Sequence, residues 1–195
     1  IVGGKLVEPA GVDGAAVIHE DDAVGVAYRG EPVCDDEGGA AIAQLVDRQL
    51  DALLLAAVEC NDAELAIRDG RETIVGDPTE GALLVAAAKH GIRRDTLDSR
   101  ITRIGAIAFD SERKRMTVLC RQGAAVTAYV KGAPEVILGR CTHVLTTHGV
   151  EPMSDSDRAR MTQASAMMAN DALRVLAFAE HSLGDTIPDQ SSPAG

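Results

Sequence analysis

Aromatic side chains are almost absent from this chain of 195 residues, which has no Trp, two Tyr and two Phe. A site that needs a ring to stack against has only Tyr28, Tyr129, Phe109 and Phe178 to draw on. Basic excess is absent too: 19 Lys and Arg stand against 30 Asp and Glu, for a net charge of -11. Phosphate backbones are bound by basic surfaces that release counterions, so no nucleic acid is expected as a partner. The same acidity repels a nucleoside triphosphate at long range, and a site for one must therefore gather its few cations locally.

Long apolar runs are missing as well. Stretches such as Ala52 to Val58 fall far short of the ~18 residues that span a bilayer, so direct membrane insertion is not expected. Cys34, Cys60, Cys120 and Cys141 form no CxxC pair and have no His at a zinc-ligand interval, the usage expected of reduced cytosolic thiols. The chain opens on Ile1 rather than Met, with no basic start leading into an apolar stretch. It reads as a segment taken from inside a longer protein.

What is present suits one compact domain with its own core, since 46% of the residues are apolar. Residues 1–184 are expected to form it, with 1–40 as a less regular lead-in around a strand-like Val24 to Tyr28, and 185–195 as a tail or linker. Ile42, Leu45, Val46, Leu50, Leu53, Leu54 and Ala57 recur at helical spacing and predict a helix from Ala41 to about Val58. Asp69-Gly70 between two apolar triplets predicts a tight hairpin. Asp77 as cap, Pro78 at the first helical position and Gly91 past the end bracket a second helix. Three strand-like runs follow, Ile104 to Phe109, Met116 to Cys120 and Val126 to Val130, the last two joined by a turn at Gln122-Gly123. Pro134 opens a short helix to Leu138, Ser154 with Asp157 resembles a cap for a helix to about Asn170, and Leu173 to Ala179 reads as a closing strand. The fold class is α/β of the α+β kind, a mainly antiparallel sheet flanked by helices.

Four segments stand out in order: GDPTEGALL at Gly76 to Leu84, FDSERKRM at Phe109 to Met116, KGAPE at Lys131 to Glu135, and DALRVLAFA at Asp171 to Ala179. Together they resemble the signature segments of the nucleotide-binding domain of P-type cation-transporting ATPases. The likeness is closer to the calcium-pump and sodium/potassium-pump branch than to the heavy-metal branch, and it covers nearly the whole chain apart from the first 40 residues. One departure is Ser111, which stands where some calcium pumps carry an arginine two residues after the phenylalanine.

The residues also make physical sense as an ATP site. Phe109 offers a flat apolar face, and stacking a base on an aromatic ring is worth ~1–3 kcal/mol; the plainer alternative is a core phenylalanine at a strand end. Glu80 sits in a first helical turn, where the dipole favours a carboxylate, and it can accept from an exocyclic amine such as adenine N6. Helix capping alone also accounts for it. Lys131 supplies a compact positive charge beside Gly132, whose lack of a Cβ permits close backbone approach. Arg174 is a lone cation in an apolar run, with a planar fork suited to phosphate, or else to a neighbouring carboxylate. Arg113 and Lys114 lie in the densest basic cluster, which could steer a polyanion or simply face water. The resemblance implies adenine stacking for Phe109, adenine recognition for Glu80 with Thr79 beside it, a lysine deep in the pocket for Lys131, and phosphate contact for Arg174.

No DKTGTLT segment carrying a phosphorylated aspartate occurs here, so the resemblance implies a chain that binds ATP without turning it over. Mg²⁺ would accompany ATP in the intact pump. The implied partners are the pump's phosphorylation and actuator domains, reached by a hinge between closely spaced chain ends, and the implied location is the cytoplasmic side of an integral plasma-membrane protein. A monomer is expected, calcium is the favoured ion, and the Ala, Gly and Asp richness suggests a bacterial source. The rival is a degenerate interaction domain of the same family that no longer binds nucleotide. Ile1-Val2-Gly3-Gly4 matches the mature start of trypsin-like proteases, but no GDSGG segment follows it. GxxxxGK[ST] and GxGxxG loops are both missing, which excludes an independent kinase or ATPase of those types.

Overall fold

The computed structural model describes residues 38–146 and 148–184, with side chains from Arg48 onward. The strand-like Val24 to Tyr28, Cys34, the tail from 185 and both chain ends lie outside the described residues. The first helix, α1, runs Gly38–Glu59, a little longer at each end than its apolar spacing predicts. It leads into an antiparallel hairpin of β1 (Glu64–Arg68) and β2 (Arg71–Val75). Asp69 and Gly70 have φ of 51° and 73°, the two positive values that a type I′ turn requires.

Helix α2, Pro78–Lys89, begins as its sequence predicts: the Asp77 carboxylate accepts from the amides of Thr79 at 2.8 Å and Glu80 at 3.2 Å. It closes in a Schellman motif, the Ile92 amide donating to Ala87 O at 2.9 Å and the Gly91 amide to Ala88 O at 3.1 Å. A single short turn, α3 (Arg94–Leu97), follows; too few residues are involved for a periodic signal.

The principal sheet is antiparallel, in the order β3-β4-β5-β8, from β3 (Thr102–Asp110), β4 (Arg115–Gln122), β5 (Ala125–Gly132) and β8 (Ala177–Gly184). Every strand pairing among the described residues is antiparallel. The β4–β5 turn falls on Gly123 and Ala124, one residue later than expected, because Gln122 pairs with Ala125 and still belongs to the ladder. Between β5 and β8 lie α4 (Pro134–Arg140), a small hairpin of β6 (His143–Thr146) and β7 (Gly149–Pro152), and α5 (Asp155–Asn170). The hairpin had no clear sequence signal, its strands being four residues each. Ser154 and Asp157 form a reciprocal capping box on α5.

The closing strand starts at Ala177 rather than Leu173. The Leu173 amide donates to Met168 O and the Ala172 amide, with Ala172 at φ 60°, to Ala169 O, so these residues finish the α5 Schellman motif instead of joining the sheet. Arg174 therefore lies in the link between helix and strand.

Helices cover both faces of the sheet. On one, Met116, Val118, Cys120, Tyr129 and Phe178 pack against Ala56, Ala57 and Cys60 of α1. On the other, Val130, Ala177 and Ala179 pack against Ile137, Leu138, Cys141, Val144 and Met161. A third cluster joins α1 to α2 through Leu54, Val58, Leu84 and Ala87. Each face removes apolar surface from water at ~25 cal/mol per Å², the main reason a sheet needs covering on both sides. Cys60, Cys120 and Cys141 are buried and join no disulfide, and burial pushes the Cys60 thiol up to about 12. No described helix is long and apolar enough to cross a membrane.

Candidate functional site

The first turn of α2 is the centre of the site. Its cap Asp77 has a carboxyl held below the usual carboxylate range, chiefly by the Glu80 amide, with the Thr79 amide and the Arg174 guanidinium adding to it. Arg174 Nη1 donates to Thr79 Oγ1 at 2.9 Å, joining residues 95 apart in sequence. The arginine side chain is thus brought to a helix N-terminus, where partial positive charge already favours an anion.

Glu80 is held from three directions. Its Oε1 accepts from Lys131 Nζ at 2.5 Å, and its Oε2 accepts from the backbone amides of Asp62 at 2.9 Å and Ala63 at 3.1 Å. Lys131 comes from the end of β5 and is only 5% exposed. It pairs with Met116 and Phe178 on the neighbouring strands, which puts it on the face covered by α1. An ammonium buried this deeply needs a partner, and Glu80 is that partner.

Gly132 has a reason of its own to lack a side chain. A Cβ there would lie 2.5 Å from Lys114 O and 2.8 Å from Arg115 Cβ, so the glycine lets β4 and β5 close where they turn apart. The approach it permits here is that of its own chain.

Phe109 is 62% exposed, which removes the alternative of a core phenylalanine. Ile107 pairs with Thr117 and Asp110 with Arg115, so Ala108 and Phe109 together oppose Met116 in a β-bulge. The irregularity bends the end of β3 just before the β3–β4 turn and can re-aim the side chains there.

Arg113 and Lys114 lie in the β3–β4 turn, which Asp110 shapes by accepting from the amides of Glu112 and Arg113. Lys114, at φ 52°, pairs with Glu135 at 3.3 Å on the surface. Of the expected site residues, Glu80, Thr79, Lys131 and Arg174 are drawn together around α2, directly or through one another. Phe109 stands exposed near the end of β3, and no hydrogen bond or ion pair joins it to that group; Arg113 and Lys114 sit in the turn that follows it.

Sequence reasoning passed over the link from Cys60 to Ala63. Asn61 is fully buried, and its side chain donates to Ala57 O and Glu80 O. An Asn directly after an amphipathic helix was the available signal, since it commonly satisfies helix-end carbonyls.

A family model described as P-type ATPase, cytoplasmic domain N, matches residues 49–193. The chain belongs to this family. Among curated relatives of the N domain, Calcium-transporting ATPase 1 of Bacillus cereus is 37% identical over 135 residues, 69% of this chain and 15% of that protein. Cation-transporting ATPase pma1 of Synechocystis sp. is 41% identical over 131 residues, 67% of this chain and 14% of that protein. Probable cation-transporting ATPase F of Mycobacterium bovis is 38% identical over 156 residues, 80% of this chain and 17% of that protein. The chain therefore spans about one sixth or less of the length of these relatives. The four signature segments led to the same family, and the antiparallel sheet flanked by helices is the fold expected of an N domain.

Proposed function

We propose that this N domain binds ATP and carries its γ-phosphate to an aspartate on the phosphorylation domain of a membrane cation pump. The observation that carries the reading is the gathering of Glu80, Lys131, Thr79 and Arg174 at one helix N-terminus, in a ring-poor chain that also exposes a phenylalanine, Phe109. The adenine stacks on Phe109, Glu80 accepts from its amino group, and Lys131 lies beneath. Arg174 takes the phosphates, with Arg113 and Lys114 nearby; Lys114 must leave Glu135 to do so. Gly132 contributes by letting the strands close under Lys131.

Mg²⁺ is assigned to the phosphates of the bound ATP in the intact pump, the usual place of an ion that keeps its waters and binds through substrate phosphates. The phosphorylation and actuator domains are the proposed partners, and a monomeric domain on the cytoplasmic side of a bacterial plasma membrane the proposed setting. All three relatives above are bacterial, one named for calcium transport and two for cation transport; the first supports calcium as the cargo.

The test is an NMR titration of the chain with ATP. Saturable shifts around residues 80, 109, 131 and 174 are expected, and Phe109→Ala is expected to weaken binding about 5- to 150-fold, the equivalent of ~1–3 kcal/mol of stacking. No saturable shift in the wild type at high millimolar ATP would sink the proposal in favour of a non-binding interaction domain.

A further inference from the structure

We infer that Asn61, in the link that Arg94 clamps between α1 and β1, is a positioning residue that aims the Glu80 carboxylate and so sets a preference for 6-amino over 6-oxo purines. The inference rests on the ATP-binding reading above and extends it to a residue that touches no ligand.

Asn61 is fully buried and uses both of its Nδ2 hydrogens: one goes to Ala57 O in the last turn of α1 at 3.1 Å, the other to Glu80 O in the first turn of α2 at 3.0 Å. Its Oδ1 accepts from the Ala63 amide at 2.9 Å. One side chain thus fastens the end of one helix to the start of the next and turns the intervening link. The Asp62 and Ala63 amides of that link are the two that donate to Glu80 Oε2. Arg94 grips the same link from outside, donating to Val58 O, to Asn61 O at 2.8 Å and to Ala63 O at 3.3 Å. Fixing Asn61 O fixes the peptide plane that carries the Asp62 amide, one of the two that face the carboxylate, while Asn61 Oδ1 holds the other, that of Ala63. Arg103 adds a contact to Asn61 O at 3.3 Å and pairs with Asp62 at 2.9 Å.

Selectivity follows from what a fixed carboxylate can and cannot do. Held by two amides and an ammonium, Glu80 presents only acceptor lone pairs to a ligand. A 6-amino group donates to it, whereas a 6-oxo group brings a second acceptor against it with no hydrogen to share. A carboxylate free to rotate away would tolerate either. If Asn61 served only to end α1, its loss would lower stability and weaken both nucleotides alike.

The experiment measures Kd for ATP and inosine triphosphate by NMR titration, for the wild type, Glu80→Gln, Asn61→Ala and Arg94→Gln, with thermal melts alongside. The wild type is expected to prefer ATP about tenfold or more. Glu80→Gln and Asn61→Ala are each expected to bring the two constants within about twofold, and the double variant to go no further. Retention of the wild-type ratio in a folded Asn61→Ala variant, with the ratio lost in Glu80→Gln, overturns the inference and leaves the ATP site intact. A wild type that binds both nucleotides equally overturns it too, whereas a wild type that binds neither removes the site itself. Should Asn61→Ala fail to fold, the ratio in Arg94→Gln decides: collapse supports the clamp, and retention overturns it.

Discussion

The two faces of the principal sheet bury comparable sets of aliphatic side chains, yet among the described residues the charged residues that are buried whole, Lys131 and Glu59, both lie on the face under α1. There Lys131 and Glu59 are enclosed, and Glu180 pairs across from Tyr129 on the same side. Under α4 and α5 the core is Val130, Ile137, Leu138, Val144 and Met161, and the charge that reaches in is part of one side chain, Arg158, whose Nη2 donates to Cys141 O at 2.8 Å. A purely apolar layer is the cheaper way to cover a sheet, because each enclosed charge must be compensated by a partner. The α1 face meets that cost around Lys131, where Glu80 and two backbone amides answer the charge. At Glu59 the compensation is partial: Oε2 accepts from Cys120 Sγ, while Oε1 is buried without a partner. A buried ion pair, Lys131 with Glu80, is what distinguishes the layer that holds the site from the layer that holds the fold.

That contrast can be broken most strongly from the apolar side. Ile137→Ala is expected to lower stability by about 4 kcal/mol in urea unfolding, through lost transfer energy and a cavity, while the folded fraction binds ATP as before. A change in affinity larger than twofold would mean that the two faces are coupled. Next, Lys131→Ala leaves Glu80 without its cation in a mostly enclosed position, and a loss of about 3 kcal/mol is expected together with loss of ATP binding. Adding Glu80→Gln should recover part of the stability and none of the binding. Full stability in Lys131→Ala alone would show that the pair is solvated in practice and that the contrast between the faces is overstated.

The smallest effect concerns Glu59, whose carboxyl is raised above 4.5 chiefly by burial. Between 4.5 and that raised value the folded chain binds more protons than the unfolded chain, so its contribution to stability falls as pH rises through this window. Glu59→Gln removes the titration and keeps an acceptor for Cys120. Its melting temperature is expected to exceed that of the wild type at pH 7, with the difference shrinking as pH falls toward 4.5. A difference that stays constant with pH would mean that Glu59 does not titrate with folding.

Local signals in the sequence decided the helices and turns. The apolar spacing of α1, the Asp77-Pro78 start of α2, the Asp69-Gly70 turn and the Ser154 and Asp157 box all act within a few residues of themselves, so their structures follow from nearby chemistry alone. The four signature segments were legible in the same way and led to the family. Boundaries were less so: Leu173 reads as strand by composition, but its amide is committed to Met168 O, a choice made by how α5 ends. What the segments do to one another was decided only in three dimensions. The Arg174 bond to Thr79, the burial of Lys131 against Glu80 and the role of Asn61 join residues from 19 to 95 positions apart. Such contacts arise when packing apolar faces brings chain segments together, and the polar groups caught at the seam must then find partners among whatever the fold has placed there.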